Sequence, residues 1–261
     1  MISLTTAQIN AWIVAFFFPL VRILGVLVAS PPFNNQALNT RTRLILGLAV
    51  TFAIAPALPD VGTLDPASGY GLLILAQQML IGLAMGFSMR LVFSAIDMSG
   101  ALISNQMGLG FATSYDPQSA SDTAVVSEFL GLLGLLIFLS MNGHLMVIAT
   151  LGKSFADLPI AGASISHDSW INIANAGAVV FTSGVFLSLP IVVALLITNI
   201  ALGVLGRVAP QLNLMAVGFP TTIALGFTAL LVSLSYFATP LQDLFEYGLQ
   251  SMLGYFVIGT R

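Results

Sequence analysis

Long apolar blocks separated by short polar or proline-bearing breaks dominate this chain. A helix needs about 20 mostly apolar residues to cross a bilayer, and on that measure about six blocks stand out. The first, residues 9–30, ends at Pro31 and Pro32, where two missing amide donors stop a helix. The second, 44–58, is short for a span and closes at APALPD. The third, 70–96, is long enough but carries Gln77, Gln78 and Arg90. The fourth, 125–151, holds Glu128 near its start and Asn142 and His144 near its end. The fifth, 170–205, would extend about 50 Å as one helix, so it must tilt, protrude or kink at Pro190. The sixth covers 214–238. Beyond Pro240, Leu241, Leu244, Phe245, Leu249, Met252, Leu253 and Phe256 recur at helical spacing among Asp243, Glu246 and Gln250, which predicts an amphipathic C-terminal helix over 241–261. The pattern predicts a single-domain, all-α, multi-helix protein of integral membrane type.

Composition strengthens that expectation. The chain is 57% hydrophobic and 7% charged, against about 25% charged residues in an ordinary soluble domain. Its seven Lys and Arg are scattered from Arg22 to Arg261, so nucleic-acid binding has no basic footprint. With no cysteine, disulfides and thiol chemistry are excluded. The two histidines, His144 and His167, do not stand at a metal-ligand spacing, and no GxSxG elbow is present. The pairing of SYDP with MGLGF touches on intramembrane aspartyl proteases. Phe111 stands where the second carboxylate would be required, and two carboxylates must share a proton for that chemistry. No phosphate-binding loop is present either. The expectation is a protein with no catalytic, cofactor or metal site.

Short, overlong and charge-bearing spans in one chain suggest that protein rather than lipid covers much of the helical surface. Arg22, Arg90, Asp97 and Glu128 are the buried-charge candidates, as costly groups inside apolar blocks. Their alternative reading is interfacial location or structural pairing. Gly82 and Gly86, four residues apart, would allow close helix approach. Between the third and fourth blocks lies SNQMGLGFATSYDPQSASDTA, polar, glycine-dotted and irregular. In lipid such backbone is tolerated only where protein buries it or water reaches it. Met107, Leu109 and Phe111 interleave with Gly108 and Gly110, so the stretch reads equally as a plain surface loop or as an apolar plug for a conduit.

Four stretches then carry a resemblance: GALISNQMGLGFATSYDP, GRVAPQLNLMAVGFP, NGHLMVIATLGKSFADLP and SPPFNNQALNTRTRLILGLAVTFAIAP. Together, over essentially the whole chain, they resemble the FliR family of flagellar type III export-gate proteins, which has counterparts in virulence injectisomes. The resemblance implies a non-enzymatic subunit of a hetero-oligomeric export channel in the bacterial inner membrane, at the flagellar basal body. Its partners would be FliP-type and FliQ-type subunits, other export-gate components and the unfolded proteins exported. About residues 1–160 would be FliP-like and about 170–240 a FliQ-like helical hairpin. The hairpin turn at Arg207, Pro210, Gln211 and Asn213 would face a partner. The pore plug would comprise Gln106, Met107, Gly108, Leu109, Gly110, Phe111, Ala112, Thr113, Ser114, Tyr115, Asp116 and Pro117, reaching Asp122. The rival class is a secondary transporter, which predicts corresponding broken helices in two halves; no inverted repeat is evident.

Overall fold

The computed structural model describes residues 6–35, 38–58, 65, 68–110, 124–161, 165–211 and 214–256. Among the described residues all regular structure is helical. The helices are α1 (Thr6–Ala29), α2 (Thr40–Ile54), α3 (Gly69–Met107), α4 (Val125–Ser140), α5 (Gly143–Asp157), α6 (His167–Asn175), α7 (Ala178–Val208) and α8 (Leu214–Gly254). A short 3-10 turn, Ala55–Ala57, succeeds α2.

Among the described residues three helical stretches are long and apolar enough to cross a membrane: Gly69–Met107, His167–Val208 and Ala216–Gly254. A fourth is present if the bent pair α4 and α5 counts as one span. The second block falls short: α2 has 15 residues, about 22 Å of helix against about 30 Å of hydrocarbon.

Several boundaries differ from the sequence expectation. Helix α3 continues eleven residues past Ile96, and its last four, Ser104 to Met107, belong to the stretch expected to be irregular. One hydroxyl in this extension turns back onto its own helix: Ser99 Oγ donates to the Ile96 carbonyl at 2.7 Å, so the backbone ladder need not break to satisfy it. The fourth block divides at Asn142, which adopts φ 57° and ψ 29°. Asparagine visits that left-handed region more readily than most side-chain-bearing residues. The fifth block divides after Asn175, where α6 gives way to α7. The expected separate tail helix is instead the end of α8, which runs through both Pro220 and Pro240. Each proline removes one amide donor, a loss that long apolar helices accommodate by local adjustment. Within that tail Leu241, Phe245 and Met252 are buried while Asp243, Glu246 and Gln250 are exposed.

The chain falls into two compact units that interleave in sequence. The first takes residues 1–91, 142–176 and 245–261. Its spine is α1 against the first part of α3. A Cβ on Gly82 would overlap the Arg22 carbonyl, and one on Gly86 would lie 2.6 Å from Ala29 Cβ and 2.8 Å from the Val26 carbonyl. Only glycine permits that approach. Phe18, Ile23, Ile81, Met85 and Phe155 are wholly buried or nearly so in this unit.

The second unit takes residues 92–141 and 177–244. Here the end of α3 is the spine. It meets α4 in antiparallel fashion, with Phe93 edge-on to Phe138 at 6.1 Å and Gly100 directly against the Ser127 backbone. It meets α7 where Gly184 lies against Ala95 and Met98, and α8 at Met107.

Candidate functional site

The described residues bring polar groups together in each unit. In the first, Arg22 is completely buried. Its Nε donates to Gln78 Oε1 at 2.8 Å. Its Nη1 donates to the Ser154 carbonyl at 3.0 Å and to Ser154 Oγ at 3.1 Å, and its Nη2 to the Leu158 carbonyl at 2.8 Å. The guanidinium carbon stands 4.3 Å from the centre of the Phe155 ring. Every one of these acceptors is a neutral carbonyl, amide or hydroxyl. Ser154 and Leu158 lie at the last turn of α5, where unpaired carbonyls form the negative end of the helix dipole, so a cation there is favoured. Gln78 in turn donates to the Ile160 carbonyl at 3.4 Å. The fork of five donors that only arginine offers thereby ties α1, α3 and the end of α5 together. This arrangement holds structure.

The other three charge candidates differ from Arg22. Arg90, Asp97 and Glu128 are exposed on the surface of this chain. Asp97 lies beside the α3–α4 contact: Ser127 Oγ donates to its backbone carbonyl at 2.9 Å, and a Cβ on Gly131 would lie 3.4 Å from its Oδ1.

The second cluster is at the end of α3, where the glycine-dotted stretch begins. Gln106 and Met107 are still helical, and Met107 is fully buried. Gly108 comes next, with φ 82°. Its amide donates to the Asn105 carbonyl at 3.1 Å, and the Leu109 amide donates to the Ser104 carbonyl at 3.0 Å. That pair of bonds around a left-handed residue is the Schellman closure of a helix, and glycine is the residue it favours. The Met107 carbonyl, one of the acceptors a helix end leaves over, receives Thr222 Oγ1 from α8 at 3.1 Å. Beside it, Gly226 leaves the space that the Met107 side chain fills: a Cβ there would lie 2.5 Å from Met107 Cγ and 2.8 Å from its Sδ and Cε. Burying a methionine in this way contributes about 1.5–3 kcal/mol. Met107 is thus an anchor inside the unit rather than part of an open apolar surface. Leu109 is half-buried and Gly110 exposed. Phe111, Ala112, Thr113, Ser114, Tyr115, Asp116, Pro117 and Asp122 lie outside the described residues.

Helix α7 ends at Val208, with the Ala209 amide donating to the Leu205 carbonyl at 2.8 Å. Arg207, in the last turn, and Gln211, just beyond, are exposed, and Pro210 lies beside them; Asn213 lies outside the described residues. Gly226, Thr222 and Ser154 take part in these clusters without any signal in the sequence. Gly226 and Thr222 stand in TTIALGFTAL with nothing local to mark them, and Gln78 was visible only as a polar residue in an apolar block. Among the described residues no group of three or more His, Cys, Asp or Glu stands close enough to hold a metal ion.

The distribution of burial is uneven. In α3, 67% of the most apolar window is buried within the chain, against 22% for His167–Val208 and 17% for Ala216–Gly254. Phe181, Val185, Leu189, Val193, Ile197 and Ile200 form an exposed stripe at helical spacing along α7. Leu231, Val232 and Tyr236 are similarly exposed on α8.

Comparison with known proteins agrees with the resemblance read from the sequence. A family model for bacterial export proteins, family 1, matches residues 13–248. The chain is 42% identical over 230 residues to the flagellar biosynthetic protein FliR of Pectobacterium carotovorum, covering 88% of each. It is 37% identical over 246 residues to that of Escherichia coli K12, covering 94% of each. To that of Aquifex aeolicus it is 30% identical over 241 residues, covering 88% of this chain and 92% of the relative. A match this long, carried at these identities across nearly full-length relatives, means that the chain belongs to family 1 of the bacterial export proteins, the FliR family.

Proposed function

We propose that this protein is a non-enzymatic subunit of the flagellar protein-export gate, contributing helices to a hetero-oligomeric channel through which unfolded flagellar proteins leave the cell. FliP-type and FliQ-type subunits and other export-gate components are its partners in this reading, and its location is the bacterial inner membrane at the flagellar basal body. The observation that carries the reading is the exposed apolar surface of α7 and α8, whose most apolar windows are only 22% and 17% buried. Surface of that kind must be covered by lipid or by other subunits, and family membership makes subunits the better account. Arg90, exposed near the middle of α3, favours this further, since a lipid-facing charge near the centre of a span is costly.

The plug is part of the same proposal. The stretch from Gln106 to Asp122 fills the closed conduit, with Leu109 and Phe111 as its apolar members, and the helix end at Met107 and Gly108 as its base. The turn at Arg207, Pro210, Gln211 and Asn213 faces a neighbouring gate component. The flagellar relatives favour a flagellum over an injectisome. Two measurements test the reading. Co-purification with FliP-type and FliQ-type subunits is expected; a functional monomer or homodimer moving a small solute would instead support a secondary transporter. Deleting residues 111–122 is expected to raise leakage of ions through the assembled complex, and unchanged leakage removes the plug.

A further inference from the structure

We propose that Gly226 and Thr222 of α8 form a seat for Met107 that fixes the direction in which the chain leaves α3. This inference rests on the plug reading, because it assigns the positioning residues for that segment's base.

Two independent contacts meet on one residue. The Met107 side chain, wholly buried, occupies the space left by the missing Cβ of Gly226. Its carbonyl accepts the Thr222 hydroxyl at 3.1 Å. Thr222 and Gly226 are one helical turn apart and so lie on the same face of α8. The same Thr222 hydroxyl lies 3.1 Å from the Phe219 carbonyl of its own helix, a bond it can make wherever Met107 goes. The seat is therefore a contact that can be left without stranding the hydroxyl, what is given up being the burial of Met107 and the bond to its carbonyl. The residues just after Met107 follow any change in its position. Gly108 turns the chain at φ 82°, and the bonds from Gly108 to Asn105 and from Leu109 to Ser104 fix that turn to the helix end. A displacement of Met107 thus carries Gly108 and Leu109 with it.

The cysteine-free chain makes the test clean. A single Gly110→Cys variant, at an exposed position, is assembled into the full export complex, and the rate at which a maleimide modifies it is measured. Gly226→Ala is expected to raise that rate about fivefold, the factor carried by losing one ordinary contact or hydrogen bond. Met107→Ala is expected to do the same. The double variant is expected to show about the same fivefold rise, because both changes remove one shared interaction. If the two effects multiply, or if neither single variant changes the rate in complexes that assemble normally, the seat is not a positioning contact. Should Gly226→Ala prevent assembly, Thr222→Val, which keeps the side-chain volume and removes the donor, must raise the rate; no change overturns the proposal. Ion leakage measured on the 111–122 deletion reports on the plug separately, so failure of either idea is recognisable without the other.

Discussion

Replacing Arg22 by alanine should destabilise the first unit more than any other single change to a charged residue. The guanidinium makes four hydrogen bonds to neutral acceptors, each worth about 1.5–3 kcal/mol for a charged donor. The contact with Phe155 adds about 2 kcal/mol when desolvated. That sum greatly overstates the loss, because removing the side chain also removes the cost of burying a charge, itself several kcal/mol or more. What remains is the set of acceptors left behind. The Ser154 carbonyl keeps the Leu158 amide at 2.8 Å, so the groups stranded are the Leu158 carbonyl and Gln78 Oε1, at about 1–3 kcal/mol each. With the cavity, the net expectation is about 3–5 kcal/mol. In a protein of this size that corresponds to a fall in Tm of about 6–20 °C, read by thermal unfolding of the detergent-solubilised complex. Arg22→Lys should recover only part of it, since one ammonium cannot reach Gln78, Ser154 and Leu158 together. An Arg22→Ala complex melting within about 2 °C of the parent would refute the reasoning.

Glycine substitutions should separate close contacts from open positions. Gly82→Ala, whose methyl would overlap the Arg22 carbonyl, should cost about 1–3 kcal/mol by overpacking, whereas Gly203→Ala, with no neighbour within 4 Å, should be neutral or stabilise the isolated chain by about 0.5–1 kcal/mol; chemical unfolding of the two variants checks this. Gly108→Ala, held at φ 82°, should cost about 1–2 kcal/mol and speed hydrogen exchange of the amides at 108 and 109 about 5- to 30-fold, with Gly108→Asn milder. Ile197→Asp, on the exposed stripe of α7, should leave the level of the chain in the membrane near that of the parent while sharply reducing co-purification of partner subunits. Equal recovery of those subunits would place the stripe outside any subunit contact.

The sequence was most informative where a single residue decides the backbone. Pro31 and Pro32 end the first block as expected, because neither supplies an amide, and α1 closes at Ala29. Gly82 and Gly86 do stand at a close helix approach. It was less informative where a residue type has two acceptable outcomes. Pro240 reads as a helix stop, yet α8 passes through it, since losing one amide bond is tolerable in a long, well-formed helix. Ser104, Asn105 and Gln106 read as loop, yet they extend α3, which closes only at the left-handed Gly108. Asn142 carried the needed signal, with glycine after it and a tendency to left-handed geometry, but the surrounding apolar run concealed the break. The chemistry of Arg22 was legible only in part. A buried arginine needs acceptors, but Gln78, Ser154 and Leu158 lie 56, 132 and 136 residues away, and no local spacing links them. The seat on Gly226 is a further step removed, a missing Cβ 119 positions beyond Met107 along the chain (226 minus 107), recognisable only once α3 and α8 are in contact.

Neighbouring subunits must cover α7 and α8 if this protein works as proposed. The most direct test is the mass of the intact particle, released gently from the membrane and measured together with its subunit composition. A hetero-oligomer holding this 27.4 kDa chain with several copies of FliP-type and FliQ-type subunits is the predicted result. A lone chain or a homodimer that still supports export would contradict it.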